Sequence, residues 1–359
     1  MKRRPSKNGE KEERKKNVLL IDGNSLLKLG YHGAKNEYNH FGEHIGGLYV
    51  FINILRKLVD KNTYHSVFVF WDGPLSGKLR YNHYEEYKGN RGKNFETGSV
   101  PQDKDLLRQK KQIWNYLEQL SVRQADDYVV EADDFIAYFC KTQKHLYNIT
   151  ICTTDRDMAQ LICDSVQIYF ADLKRVVTLE NYQETFQHHQ SNALLVKIIA
   201  GDTSDNIKGI KGIKEPSLIK YFPEIAERKL QFQEFMQMAK DLQQSRLDEK
   251  KKPLKAIDNI IGGVSDGCQG ERFYEVNKII MDLKKPLMRP TALEKFDDVV
   301  SLPIDPEGRS VKNVYIKMKE NGLDRLISEN RFADYMLPFK KIIDKEKDNY
   351  NLWVESNKE

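Results

Sequence analysis

The chain has no run of eighteen apolar residues, which excludes an apolar membrane-spanning helix. Its opening, MKRRPSKNGEKEERKK, lacks the apolar stretch of a signal peptide. A soluble, cytoplasmic protein with no membrane partner is therefore expected, in a host cell if the chain is viral. Cysteine is scarce. Cys140, Cys152, Cys163 and Cys268 form no C-x-x-C pair and have no His or Cys neighbours at zinc-ligand spacing, so reduced core thiols are expected. No G-x-x-x-x-G-K-[ST] occurs, which weighs against a phosphotransferase or NTPase. No internal repeat or low-complexity tract is present.

What is there starts with charge. The net charge is +5, and residues 2–16 alone, with eight Lys or Arg and three Glu, account for as much. The body is near neutral. Such a body binds nucleic acid only if its charges are segregated into an acidic pocket and basic flanks. Composition by itself assigns no activity. With 359 residues, 40% of them hydrophobic, the chain can build one large domain or a core with a smaller partner.

Residues 1–16 read as a disordered basic tail, either a solvated tail or a weak nucleic-acid tether. Three short apolar runs follow, 17–21, 66–71 and 149–154, and each ends at an aspartate: Asp22, Asp72 and Asp155. Such runs suit strands buried on both faces. Helical periods lie between them at 47–60, 103–120 and 132–146. Strands alternating with helices predict a mostly parallel sheet in an α/β core over 17–180. Residues 74–100 break the rhythm with polar, aromatic and basic residues, and a connection that long is often functional. Helical signals dominate 181–340. Residues 241–270 read as a charged loop or partly ordered insertion, and 341–359 as a charged C-terminal tail whose helix frays.

The acids carry the chemistry. Ligands of open parallel sheets bind at the carboxyl ends of strands, where Asp22, Asp72 and Asp155 are expected. Any one of them could simply cap the next helix. Glu131, Asp133 and Asp134 start a helix, where the helix dipole favours them, but Glu131 and Asp134 also share a face. Asp157 follows the third strand, and Asp202 and Asp205 complete nine carboxylates. Two like charges 4 Å apart repel by about 4 kcal/mol at an effective dielectric of 20. If the nine converge, they require cations or raised pKa values. Oxygen-only ligation favours Mg²⁺ or Mn²⁺ over zinc. Two such ions can activate water and stabilise the leaving oxygen at a phosphodiester.

The segments LLIDGNSL, FWDG, EEYKGNR, VEADDFIA, TTDRDMAQL and GDTSDNIKGIKGI, in this order over about residues 17–222, resemble the bacteriophage 5′→3′ exonucleases and flap endonucleases. They are similar also to the nuclease domain of bacterial DNA polymerase I and to phage ribonuclease H; the C-terminal third matches weakly. The resemblance implies a PIN-like α/β core, a helical arch over about 74–100 and a helix–three-turn–helix over about 194–222. It implies one metal site near Asp22, Asp72, Glu131, Asp133 and Asp134. A second is implied near Asp155, Asp157, Asp202 and Asp205, with Asp155 shared or intermediate. Lys88 and Arg91 would lie near the scissile phosphate, and Arg80 and Tyr87 near a threaded single strand. A solvated basic loop is the bland alternative for that stretch.

Gly209, Lys211, Gly212 and Lys214 resemble the duplex-binding hairpin, with Lys208 and Lys220 beside it; Lys197 matches a basic position of the family. The family often binds K⁺ at the hairpin through backbone oxygens. This chain departs there, with Lys214 where a third glycine is usual and Pro216 soon after. The expected function is a two-metal, structure-specific 5′ nuclease acting on branched or nicked DNA, with RNA–DNA duplexes as further substrates. A non-catalytic DNA-binding relative and a general PIN-type ribonuclease are the alternatives. No polymerase region follows, so a free-standing enzyme is expected; a monomer is expected too, with a clamp or single-strand-binding protein as candidate partners.

Overall fold

Val18 and Leu20 face one side of the first strand and Leu19 and Ile21 the other, and all four are buried. Apolar residues on both faces require cover on both sides, and the rest of the core supplies it. The computed structural model describes residues 15–92, 94–98, 103–266, 269–323 and 329–358. The N-terminal tail expected over 1–16 lies almost wholly outside the described residues, as does Cys268.

In chain order the core runs β1 (Lys16–Asp22), α1 (Gly23–Gly33), α2 (Gly46–Lys61), β2 (Ser66–Asp72), α3 (Lys78–Tyr81), α4 (Lys104–Gln119), β3 (Arg123–Asp127), α5 (Ala132–Gln143), β4 (Tyr147–Thr153), β5 (Val166–Phe170) and β6 (Arg175–Val177). The six strands pair in the order β3-β2-β1-β4-β5-β6, parallel except for β5 with β6. Strand order reverses between β1 and β4, and the crevice at such a switch point is where open α/β sheets bind ligands. Phe51, Leu55 and Trp71 lie in the core on one side of the sheet, and Phe70, Phe135 and Phe139 in that on the other.

A helical region follows: α6 (Ala193–Ala200), α7 (Glu215–Tyr221), α8 (Glu224–Glu227), α9 (Phe232–Asp248), α10 (Lys255–Ile261) and α11 (Glu271–Met281). It has its own core of Ile199, Leu218, Phe222, Phe235, Ile257 and Phe273. Residues 241–270 are thus not mainly a loop. The last turns of α9 and all of α10 fall there, and Gln243 donates to the Leu254 carbonyl at 3.1 Å and to Asp258 at 2.5 Å. Charged outer faces hide these helices from a hydrophobic-period reading.

The chain then returns to the sheet with α12 (Pro290–Ser301), α13 (Val311–Glu320) and α14 (Glu329–Ser356). The last corrects the expected fraying tail. Met336, Phe339, Ile342 and Glu346 recur at helical spacing and are all buried. Glu346 takes a two-pronged bond from Arg123 of β3, Nε at 3.0 Å and Nη2 at 2.8 Å. Arg123 Nη1 also donates to the Val299 and Leu302 carbonyls, at 2.7 Å each.

Removing one partner of a buried pair strands the other charge, so Glu346→Ala should lose about 3–5 kcal/mol in denaturant unfolding. Replacing both, Arg123→Met with Glu346→Leu, should recover most of that loss; a fully exposed tail would show neither effect.

Candidate metal centre and nucleic-acid interface

Asp22 ends β1 and caps α1, its Oδ1 accepting from the Ser25 amide at 3.0 Å and its Oδ2 from the Thr153 hydroxyl at 2.9 Å. Capping and convergence are therefore compatible for this residue. Asp72 ends β2 and accepts from the Ala132 amide of α5 at 3.0 Å and from Asn24 Nδ2 at 3.2 Å. Asp155 follows β4 and caps a short 3₁₀ turn, accepting from the Asp157 amide at 2.8 Å. Three strand ends thus deliver three acids to one edge. Glu131 and Asp133 join them from the start of α5, Asp157 from the 3₁₀ turn, and Asp202 and Asp205 from the loop after α6. All eight line one cleft of about 440 Å³ with Lys28, Lys88, Arg91, Arg156 and Lys197.

The electrostatics divide these acids. Burial and then the charges of Asp72 and Asp155 push the Asp22 carboxyl up to about 7. Burial and then Asp155, Asp22, Glu131 and Asp72 hold Asp133 well above the usual carboxylate range. Burial also raises Asp155, and burial followed by the Asp155 charge brings Asp157 to about 7. Burial pushes Glu131 and Asp202 the same way, but cations overcome it. Lys88 and Arg80 hold Glu131 at about 2, and Lys197 holds Asp202 at about 2.

Asp134 is a correction. It is buried away from the cleft, taking both ends of the Arg80 guanidinium at 2.5 and 3.0 Å and the Leu287 amide at 2.8 Å. Its oxygens are committed to protein donors, so it braces the site rather than facing it. Arg80 and Tyr87, expected beside a threaded strand, are buried as well. Arg80 donates to Glu131 at 2.6 Å and to the Ile280 carbonyl at 2.8 Å; Tyr87 donates to Glu131 and to Asp205, each at 3.0 Å. Lys88 is also inside, ion-paired with Glu131 and 3.8 Å from Asp205, while Arg91 reaches Asp205 from the rim at 2.6 Å. Among the described residues of 74–100, regular helix is limited to α3 and a 3₁₀ turn at Gly89–Arg91. This stretch folds down onto the acids, with the Lys88 amide donating to the Asp205 carbonyl at 2.9 Å.

The hairpin expectation divides in two. Lys208, Lys211, Gly212, Lys214 and Lys220 are exposed, while Ile210 and Ile213 anchor the turn in the helical core. Lys197 is instead in the cleft, bridging Asp157 and Asp202. Gly201 and Gly209 close the loop between α6 and the hairpin. A Cβ on Gly209 would sit 2.2 Å from the Ala200 carbonyl oxygen, and one on Gly201 would sit 2.3 Å from the Gly209 nitrogen. Across that neck the Asp202 and Ile207 backbones exchange bonds of 2.8 and 2.7 Å. Asn24, Lys28 and Lys110 went unnoticed in the sequence. Asn24 and Lys28 are four apart on α1, a spacing that puts them on one face. Lys110 lies over the Trp71 ring and donates to the Asp72 carbonyl at 2.8 Å.

Residues 17–188 match the family described as 5′-3′ exonuclease, N-terminal resolvase-like domain. A 5′-3′ exonuclease of Halalkalibacterium halodurans is 32% identical over 216 residues, covering 56% of this chain and 68% of that protein. The chain belongs to the 5′-3′ exonuclease family. Thermostable DNA polymerase I of Thermus thermophilus is 30% identical over 213 residues, 59% of this chain but only 24% of the polymerase. The chain thus spans about a quarter of its polymerase relatives. The T5 D15 protein, co-crystallised with metal ions, superposes with a TM-score of 0.57 at 20% identity, over 85% of this chain and 98% of that one. That likeness shows the fold, and it extends past the region in which the sequence motifs lie.

No three His, Cys, Asp or Glu side chains among the described residues stand together as a ready metal cage. The donor set nevertheless fits hard divalent ions. It is all oxygen, its acids repel one another, and Asn24 Oδ1 beside Asp72 is a buried acceptor without a donor.

Asp133 gives the sharpest test of this crowding. Its folded pKa lies above its unfolded value, so its repulsion is absent at low pH and fully present once pH exceeds the raised value. In chelator near pH 8, Asp133→Asn should therefore raise Tm, by about 2–4 °C per kcal/mol relieved. The gain should shrink toward about pH 4, near the pKa of an unfolded aspartate. Unchanged thermal melts across that range would contradict the crowding.

Proposed function

We propose that the chain is a divalent-metal-dependent, structure-specific 5′ nuclease, a 5′→3′ exonuclease and flap endonuclease of DNA replication or repair. The observation that carries this reading is the meeting of eight carboxylates at the sheet's switch point, two of them on the loop that leads into a lysine-studded hairpin. Asp22, Asp72, Glu131, Asp133 and Asp155 would hold one Mg²⁺. Asp157, Asp202 and Asp205, with Asp155 shared, would hold a second, and Mn²⁺ could replace either. Such ions supply an activated water and stabilise the leaving oxygen of a phosphodiester.

The chain's own residues do the rest. Lys88 and Arg91 set positive charge against the acids from one side of the cleft, where a phosphate would need it. Arg80 and Tyr87 hold Glu131 in place. Lys208, Lys211, Lys214 and Lys220, with the backbone at Gly209 and Gly212, would grip duplex phosphates without reading sequence. K⁺ held by backbone oxygens of the hairpin, cleavage of RNA in RNA–DNA duplexes, and contacts with a clamp or single-strand-binding protein belong to the same reading. So do a monomeric state and a place in the cytoplasm. No helix among the described residues is long and apolar enough to cross a membrane.

A 5′-labelled flap, a nicked duplex and an RNA–DNA duplex, each incubated with Mg²⁺ and with chelator, test the proposal. Cleavage should require the metal and leave a 5′-phosphate; equal cutting in chelator would sink it. Lys88→Ala should slow single-turnover cleavage by about 10²–10³-fold while duplex affinity changes only a few-fold. A defect confined to binding would reject the role given to Lys88.

A further inference from the structure

Two groups of acids share the cleft, and in the first only Glu131 is matched with cations, Lys88 and Arg80. Among the described residues, no lysine or arginine nitrogen stands within 4.0 Å of a carboxylate oxygen of Asp22, Asp72, Asp133 or Asp155. Lys197, by contrast, touches two acids of the second group, while the third, Asp205, pairs with Arg91. Its ammonium meets Asp157 Oδ1 and lies 2.6 Å from Asp202 Oδ2. Asp202 Oδ1 is occupied separately, by the Ser204 amide and hydroxyl at 2.7 Å each. The ammonium therefore stands where a cation shared by these two carboxylates would stand.

We infer that Lys197 is the resident counter-ion of Asp157 and Asp202 in the second acid group, and that a divalent ion enters between them only by displacing its ammonium. This rests on the metal-dependent reading above and deepens it. The geometry allows the exchange. Lys197 lies in the last turn of α6, and about a quarter of its side chain is already exposed. A flexible four-carbon stem can swing its charge toward the cleft mouth without disturbing the helical core. Once released, the ammonium needs a new anionic partner, and a phosphate of a bound strand is one. Second-ion binding and nucleic-acid binding then favour one another, and by linkage the favour is equal in both directions. In the first group Lys88 and Arg80 pair with Glu131 alone, so at Asp22, Asp72, Asp133 and Asp155 an ion has no ammonium or guanidinium to displace. That ion binds without substrate.

Mn²⁺ titration of the full chain, followed by the resonance signal of free Mn²⁺, tests the inference. It is run alone and with a flap substrate carrying an uncleavable methylphosphonate at the scissile position. Without substrate, wild-type protein should take up one ion well and a second at least about tenfold more weakly. Lys197→Met should strengthen the second ion by about tenfold, and Lys197→Arg should keep it weak. Substrate should strengthen the second ion in wild type and not in Lys197→Met. If Lys197→Met leaves second-ion affinity unchanged or lowers it while both ions still bind, the inference is overturned and the nuclease reading stands. If wild type takes up no Mn²⁺ even with substrate, both fall together.

Discussion

The constraint on which this structure turns is the repulsion among carboxylates gathered at the carboxyl end of a parallel sheet. Eight acids share a cleft with five basic residues. Two unit charges 4 Å apart repel by about 4 kcal/mol at a dielectric of 20, so such a cluster persists only if something opposes it. Hydrogen bonds from Ser25, Thr153 and the Ala132 amide hold single oxygens in place. Proton uptake relieves Asp22 and Asp157, whose carboxyls rise to about 7. Cations relieve Glu131 and Asp202. The site is thus divided between acids steadied by protein cations and acids left to one another.

The surrounding fold makes sense as support for that division. Arg80 does not reach outward; it ties Glu131 and Asp134 of α5 to the end of α11 through the Ile280 carbonyl. Tyr87 packs with Ile207, Ile280 and Met281, so the segment expected to arch away is pinned to the helical region. Far from the cleft, α14 locks the edge strand β3 through the Arg123–Glu346 pair, which keeps the sheet's outer strand from presenting an unpaired charge. Burial of the Arg80 pairs with Glu131 and Asp134 lends rigidity beneath the acids.

What the sequence made legible follows from periodicity. β1, β2 and β4 are apolar runs ending at or just before Asp22, Asp72 and Asp155, and the structure places those acids together. β3 was not legible, because Arg-Gln-Ala-Asp-Asp is a strand whose polar residues are satisfied by partners far along the chain: Glu346 for Arg123, Arg289 for Asp127. The same blindness explains Asp134, Arg80 and Tyr87. Residue type and spacing announce charge near a site, but whether a charge faces the cleft or braces it from behind depends on partners 44 to 200 residues away in sequence. It explains Glu346 too, an acid inside an otherwise apolar stripe.

The near-neutral body is the last piece. Composition could not distinguish a binding surface from an ordinary one, because the charges cancel in the sum while separating in space. Lysines 208, 211, 214 and 220 lie outside on the hairpin, and the acids lie inside the cleft. Between the two runs one short neck, Gly201 against Gly209, with Asp202 and Ile207 paired across it. No side chain fits there, so the loop carrying Asp202 and Asp205 cannot shift independently of the hairpin's first residues. The hairpin is thereby held at a fixed offset from the second acid group, with Lys197 standing between Asp157 and Asp202 at the point where that offset is set.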